Sequence, residues 1–229
     1  MAGEPTPDEE ILASDVVGRI SDEQRVERMA RELARGFAAL RHLGPAVSVF
    51  GSARTPPDSP QYATAREVGR RLGEAGFAVI TGGGPGAMAA ANQGAQAAGA
   101  ASVGLTIDLP QEQGVNRWVG LAVPFHYFFC RKVMFVRYAG AFVVLPGGYG
   151  TFDELFEAMT LIQTRKVHHF PLILVGSEYW SGLMTWLRER VAAEGKIGVA
   201  DLELVHLTDD LDEVVDRVAD AADAQGMHS

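Results

Sequence analysis

Apolar and polar positions alternate along the chain in two rhythms. Short runs are apolar almost throughout: Ala46–Phe50, Phe77–Thr81, Ala101–Ile107, Leu121–Pro124, Ala141–Leu145, Pro171–Val175 and a brief Leu204–Leu207. Between most of them lie longer stretches in which apolar residues recur at spacings of three and four: Gln61–Ala75, Ala87–Ala98, Tyr127–Tyr138, Phe152–Gln163, Tyr179–Ala193 and Asp210–Ala222. Apolar strands between amphipathic helices predict a parallel sheet covered on both faces. Right-handed crossovers then give a single α/β domain with a Rossmann-like, doubly wound sheet. An extra helix precedes the first strand. It starts at Ser21 with Gln24 at the capping-box position, and Val26, Met29, Leu33, Phe37 and Leu40 form its apolar stripe against a charged opposite face. Asp58 and Ser59 before Pro60 punctuate another helix start. Residues 1–20 read as a mobile arm, 21–222 as the domain and 223–229 as a tail.

Three glycine-bearing loops fall at predicted strand ends: Gly51-Ser52, Gly82-Gly83-Gly84-Pro85-Gly86 and Pro146-Gly147-Gly148-Tyr149-Gly150. Ligands of open parallel sheets collect beyond the carboxyl ends of the strands, so three such loops on one rim point to a ligand crevice. Glycine lets backbone approach a ligand closely, and free N–H groups at a helix start favour an anion such as phosphate. The third loop runs on into Thr151-Phe152-Asp153-Glu154 and a helical pattern. Thr151-x-x-Glu154 has capping-box spacing; the same residues also suit a phosphate cradle with a carboxylate beside it. Arg131 and Lys132 sit among Phe128, Phe129, Val133, Met134 and Phe135. Two adjacent cations on so apolar a helix are costly unless they face water or an anion, and a guanidinium fork suits oxyanions. Glu157, one turn past Glu154, either raises the pKa of Glu154 by repulsion or is solvated. Thr160, a turn further, is placed to line a pocket. Ser52 closes a turn or reaches the ligand. Glu112, Gln113 and Asn116 form a polar loop that is solvated or borders the site.

The run Pro146 to Glu154 resembles the PGGxGTxxE signature of the LOG family, the cytokinin riboside 5′-monophosphate phosphoribohydrolases long labelled lysine decarboxylases. Gly51-Ser52-Ala53-Arg54, Gly82 to Met88 and Arg131-Lys132-Val133-Met134 resemble further family blocks in the same order, so the likeness covers roughly residues 47–215. It implies hydrolysis of the N-glycosidic bond of an N6-substituted adenosine 5′-monophosphate, with no metal or organic cofactor. It carries the catalytic pair onto Arg131 and Glu154. It places substrate contacts at Ser52, Gly83, Met88, Lys132, Gly147, Gly148, Tyr149, Gly150, Thr151, Asp153 and Thr160, with Met88 near the base and Gly147–Thr151 at the phosphate.

Composition narrows the setting. At 229 residues, 47% hydrophobic and 21% charged, the chain is of globular type. A net charge of −9 disfavours nucleic acid and anionic membrane as partners. No long apolar run suggests a membrane span, and the acidic, polar start has no signal-peptide pattern. One cysteine, Cys130, excludes an intrachain disulfide, and a cytoplasmic location is expected. His126, His168, His169 and His206 lack zinc-site spacing, and no G-x-S-x-G elbow occurs.

Other functions remain readable. Gly82 to Ala87 also fits G-x-G-x-x-A, with Asp108 ending the next strand, as in an NAD-binding oxidoreductase; however, these glycines follow the second strand, and no hydride-transfer site accompanies them. A non-catalytic nucleotide- or molybdenum-cofactor-binding protein would keep the glycine loops without needing Arg131 and Glu154. A pyridoxal-phosphate decarboxylase needs a Schiff-base lysine, and Lys132, Lys166 and Lys196 stand in no recognisable cofactor motif. The apolar circumference of Tyr127–Tyr138 predicts a homodimer or larger assembly, unless the helix Ser21–Leu43 covers that surface.

Overall fold

The computed structural model describes residues 21–108, 114–167 and 170–226. Glu112, Gln113, His168 and His169, together with the N-terminal arm, lie outside the described residues. The apolar runs become strands β1 (Ala46–Phe50), β2 (Ala78–Thr81), β3 (Ser102–Ile107), β4 (Leu121–Phe125), β5 (Ala141–Val144), β6 (Leu172–Val175) and β7 (Val205–Thr208). They form one seven-stranded sheet in the order β4-β3-β2-β1-β5-β6-β7, and every neighbouring pair is parallel. The helices are α1 (Asp22–Leu40), α2 (Pro60–Glu74), α3 (Ala87–Ala97), α4 (Phe128–Tyr138), α5 (Tyr149–Gln163), α6 (Ser177–Trp186) and α7 (Leu211–Ala224).

Side chains alternate across each central strand, so the sheet divides the core in two. Phe50, Phe142 and Val144 face a layer holding Leu40 of α1, Met134 of α4, Leu155 of α5 and Trp180 of α6. Val47, Val49 and Val143 face α2, α3 and α7. On that second side a Cβ on Gly69 or Gly94 would overlap the backbone at Ala91 or Arg66, so α2 and α3 touch backbone to backbone.

The start of α1 is as expected: Ser21 and Gln24 close a capping box. Ser59 caps α2, with Pro60 in its first turn. Three local expectations are corrected. The α1 stripe is corrected in part: Met29, Leu33 and Leu40 pack on the core as expected, Glu32 and Gly36 are buried with them, and Val26 and Phe37 are 63% and 41% exposed. A buried acid and a glycine escape an apolar count, which therefore misjudged the edges of the face. The helix expected over Tyr179–Ala193 starts earlier, as α6 at Ser177, and passes into a π turn at Leu187–Ala192; a 3₁₀ helix at Val199–Leu204 was not anticipated. Finally, α5 begins at Tyr149 rather than at Phe152, and Gly148 is its N-cap. Thr151 therefore lies inside the first turn and is not a cap, so the capping-box reading of Thr151 and Glu154 fails. Among the described residues, no helix is long and apolar enough to cross a membrane.

Candidate active site

The strand order reverses between β1 and β5, whose pairing runs from Val47↔Ala141 to Phe50↔Val144. Such a switch point opens a crevice beyond the strand ends. Ser52, two residues past β1, ties the rim together. Its N–H donates to the Pro146 carbonyl (3.0 Å), and its own carbonyl accepts from the Ala87 N–H (2.9 Å). Its Oγ accepts from the Arg54 N–H (3.0 Å). Ser52 thus joins the loops after β1, β2 and β5, and its hydroxyl proton is left to donate elsewhere.

The loop after β5 enters α5 without a side-chain cap, which leaves the first N–H groups of the helix for solvent or an anion. Gly148, Tyr149 and Gly150 are exposed, and a Cβ on Gly148 or Gly150 would meet nothing within 4 Å. Gly147 differs: the buried Thr151 side chain lies over it, leaving no room for a Cβ. The Tyr179 hydroxyl of α6 donates to the Gly147 carbonyl (2.6 Å) and pins the loop from outside.

Behind this helix start lies the charged group. Lys132 of α4 reaches α5, its Nζ 2.7 Å from Glu157, 2.9 Å from Asp153 and 3.8 Å from Glu154. Burial lowers the Lys132 pKa, but hydrogen bonds to Glu157 and Asp153 outweigh it and hold the amine charged. Glu154 is 3% exposed, and its Oε2 has no hydrogen-bond partner. Burial pushes its pKa up to about 7, against the pull of Lys132 and Arg131. Glu157 adds a smaller like-charge push; its main contact is Lys132. Arg131 is also sunk in the protein. Burial lowers its pKa, opposed by the charges of Glu154 and Asp153. Its guanidinium lies 5.0 Å from the Phe128 ring and 5.6 Å from the Phe135 ring, and its Nε has no hydrogen-bond partner. A buried acid beside a half-buried cation, each with a polar atom lacking a hydrogen bond, is a candidate site for a polar ligand.

The loop after β2 closes the far side. A Cβ on Gly82 would stand 2.8 Å from Met88 Sδ and 3.8 Å from Arg131 Nη1, which brings Met88, this loop and Arg131 together. Asn116 serves the protein rather than a ligand: its Nδ2 donates to the Gly83 and Gly84 carbonyls and to Asn92 Oδ1, each at 3.0 Å. Gly83 has a φ of +72°, and a Cβ there would press on Thr106 at 2.8 Å. Asp108 is drawn to His126 Nδ1 (3.3 Å). A groove of about 630 Å³ runs along the outer face of α5, lined by Lys132, Tyr149, Phe152, Asp153, Phe156, Glu157, Thr160 and Leu161. Thr160 does line it, though its hydroxyl is bonded back to Phe156 (2.8 Å). Arg131 and Glu154 lie behind the groove, not in its wall. Among the described residues, no cluster of His, Cys, Asp or Glu could hold a metal ion. Two contributors were missed in the sequence, Tyr179 and Glu32 of α1; both act through backbone groups distant in the chain, and no local signal marks them.

A family model described as "Possible lysine decarboxylase" matches residues 88–218, which include Arg131, Lys132 and the whole run 146–154. The chain belongs to this family. A relative from Oryza sativa subsp. japonica, a probable cytokinin riboside 5′-monophosphate phosphoribohydrolase, is 30% identical over 149 residues, 63% of this chain and 60% of its own. A cytokinin riboside 5′-monophosphate phosphoribohydrolase of Rhodococcoides fascians is 33% identical over 86 residues, 37% of this chain and 42% of its own. The chain thus spans about 60% of the length of the rice relative or less of the others. Among solved structures, the molybdenum cofactor binding protein of Rippkaea orientalis superposes with a TM-score of 0.57 at 18% identity, covering 77% of this chain and 96% of its own. The molybdenum cofactor carrier protein of Chlamydomonas reinhardtii gives 0.56 at 22%, covering 78% and 98%. These two likenesses concern the fold alone.

Proposed function

We propose that the protein hydrolyses the N-glycosidic bond of adenosine 5′-monophosphates, preferably with an N6-isoprenoid chain, to free base and ribose 5-phosphate. The observation that carries this reading is the buried Glu154, whose Oε2 has no hydrogen-bond partner, beside the half-buried Arg131, whose charge acts on it. A binding protein has no use for that pair; bond cleavage does. The names of the family's curated relatives support the substrate class.

Cleavage breaks the bond from sugar C1′ to the base nitrogen through an oxocarbenium-like sugar, by analogy with glycoside hydrolysis. The electron pair leaves with the base, and water adds to C1′. The open N–H groups at Gly148–Gly150, with the Thr151 hydroxyl, anchor the 5′-phosphate. The Glu154 carboxylate faces the positive sugar and accepts the proton of the attacking water. Arg131 offsets negative charge growing on the departing base. Lys132 keeps Asp153, Glu154 and Glu157 together without spending its charge on the ligand. Its three carboxylate neighbours also make it a poor Schiff-base amine, and Lys166 and Lys196 are exposed on surface turns. This chemistry calls for no metal or organic cofactor, and a cytoplasmic setting suits both it and a chain with a single, buried cysteine, Cys130.

We further propose a homodimer or larger assembly. α1 covers one side of α4, yet Phe128, Phe129 and Val133 stay 37%, 43% and 43% exposed. A light-scattering mass of one 24.6 kDa chain with full activity would refute it.

The deciding assay offers AMP, N6-isopentenyl-AMP and the matching nucleoside, and follows free base by chromatography. Both monophosphates should be cleaved and the nucleoside far more slowly. Tight nucleotide binding without base release would defeat the enzyme and favour a carrier. Equal kcat/KM for nucleoside and monophosphate would remove the role given to the glycine loop.

A further inference from the structure

The helix that precedes the Rossmann-like core holds the junction of β4 and α4 through a buried acid. Glu32 of α1 is 5% exposed. A single oxygen of its carboxylate, Oε2, accepts from the backbone N–H groups of His126 (3.1 Å) and Tyr127 (3.3 Å). These two groups stand where β4 turns into α4. Tyr127 is the N-cap of α4, and the helix has no side-chain cap of its own. Negative charge at this end also complements the helix dipole.

Other contacts grip the same junction. Arg28 Nη1 lies 2.8 Å from His126 Nε2, and Arg35 hydrogen-bonds the Pro124 carbonyl. A Cβ on Gly36 would stand 2.8 Å from Met134 Sδ, so its absence lets α1 approach α4 closely. One turn into α4, the Arg131 N–H donates to the Tyr127 carbonyl (3.3 Å). The rings flanking the Arg131 guanidinium belong to α4 itself, and its Nε has no partner. The aim of this side chain is therefore set by where α4 begins.

We infer that Glu32 is a positioning residue for Arg131: by anchoring the start of α4 from a separate helix, it fixes the depth and direction of the guanidinium in the crevice. This rests on the reading of Arg131 as the cation that serves the departing base. Because both N–H groups bond to one oxygen, the amide oxygen of glutamine can replace it, whereas alanine leaves two backbone donors without an acceptor.

The experiment uses the full chain with Glu32→Ala and Glu32→Gln. Two quantities are read: turnover of N6-isopentenyl-AMP, and the ¹⁵Nε–¹Hε NMR resonance of Arg131, assigned by its loss in Arg131→Lys. Glu32→Ala should lower kcat about tenfold with KM changed less than threefold, and should move or broaden the Arg131 resonance. Glu32→Gln should bring both back to within about twofold of wild type. An unmoved resonance in a folded Glu32→Ala protein overturns the inference, as does a Glu32→Gln protein as impaired as Glu32→Ala. The resonance needs no turnover, so a wild-type chain inactive on every nucleotide would count against the proposed reaction while Glu32 was still tested. If Glu32→Ala does not fold, hydrogen exchange on the wild-type chain decides. Slow exchange at the His126 and Tyr127 amides supports the anchor, and exchange as fast as in exposed loops refutes it.

Discussion

The loops after β2 and β5 are both rich in glycine, yet they use it for opposite ends. In the first, the protein itself fills the space. Gly83 and Gly86 have φ values of +72° and +65°, and added Cβ atoms would press on Thr106 and on the Ser52–Ala53 backbone. Asn116 bonds to the carbonyls of this loop from one side, and the Thr81 hydroxyl accepts from the Gly83 N–H at 3.0 Å on the other. In the second, Gly148 and Gly150 have nothing near the Cβ position and no positive φ. Their emptiness faces solvent at a helix start. Packing requires glycine at Gly83 and Gly86 and, in the second loop, at Gly147, whereas Gly148 and Gly150 leave open space at the helix start. Two glycine-rich loops thus make one closed knot and one open helix start.

Mutation separates the two. The largest effect is expected for Gly86→Ala, which combines a left-handed backbone with overlap of fixed main-chain atoms. A loss of about 2–5 kcal/mol is expected in denaturant unfolding, whatever ligand is present. Next comes Glu154→Gln beside the open loop: turnover should fall at least ~10²-fold while the fold persists. The same variant removes a pH effect. The folded Glu154 pKa of about 7 stands above the ordinary carboxylate value of 4.5, so its neutral form is favoured by folding. Its contribution is present in full below pH 4.5 and is lost as pH rises toward 7, by at most about 3 kcal/mol. Turnover should move the other way, rising through pH 7 as the carboxylate forms. Wild-type stability flat across this window, or unchanged by Glu154→Gln, would contradict the burial of a neutral acid. Gly150→Ala is milder and opposite in sign to Gly86→Ala. Helix propensity should add up to about 1 kcal/mol of stability, while the methyl enters the anion cradle and lowers kcat/KM for the monophosphate. Smallest is Thr151→Val, expected to weaken monophosphate use severalfold and stability by about 1 kcal/mol or less. Equal losses of stability for Gly86→Ala and Gly150→Ala would erase the distinction between the loops.

Much of this was legible along the chain. The strands were readable because Ala46–Phe50 and Ala141–Val144 are apolar on both faces, as a doubly covered sheet requires. That Arg131 and Glu154 lie close together was readable from their blocks and the family likeness. The start of α5 was not: a Gly-Gly-Tyr-Gly run reads locally as loop, and what turns it into helix includes Tyr179 of α6 holding the Gly147 carbonyl. Glu32 was hidden for a similar reason. A charged residue beside an apolar stripe defaults to solvent, and only two backbone donors almost a hundred positions away make its burial favourable. Asn116 read as solvated or as bordering the site, because nothing nearby in sequence announces the carbonyls it serves.

The β1–β5 pairing has a consequence for how the protein comes into being. β1 is flanked by β2, which follows it closely, and by β5, which the chain reaches only after β2, β3, β4 and their helices. The second contact closes a far longer loop, so it pays more entropy before any contact is gained and tends to form late. Until it forms, Ser52 has no Pro146 carbonyl to meet, and the crevice does not exist in any partial version. Nascent chains stalled before β5 can own most of their helices and still lack the crevice. Under the proposed function, nucleotide added during refolding would select the completed molecule alone and draw the population toward it by mass action, so the substrate would act late in folding as well as in the reaction.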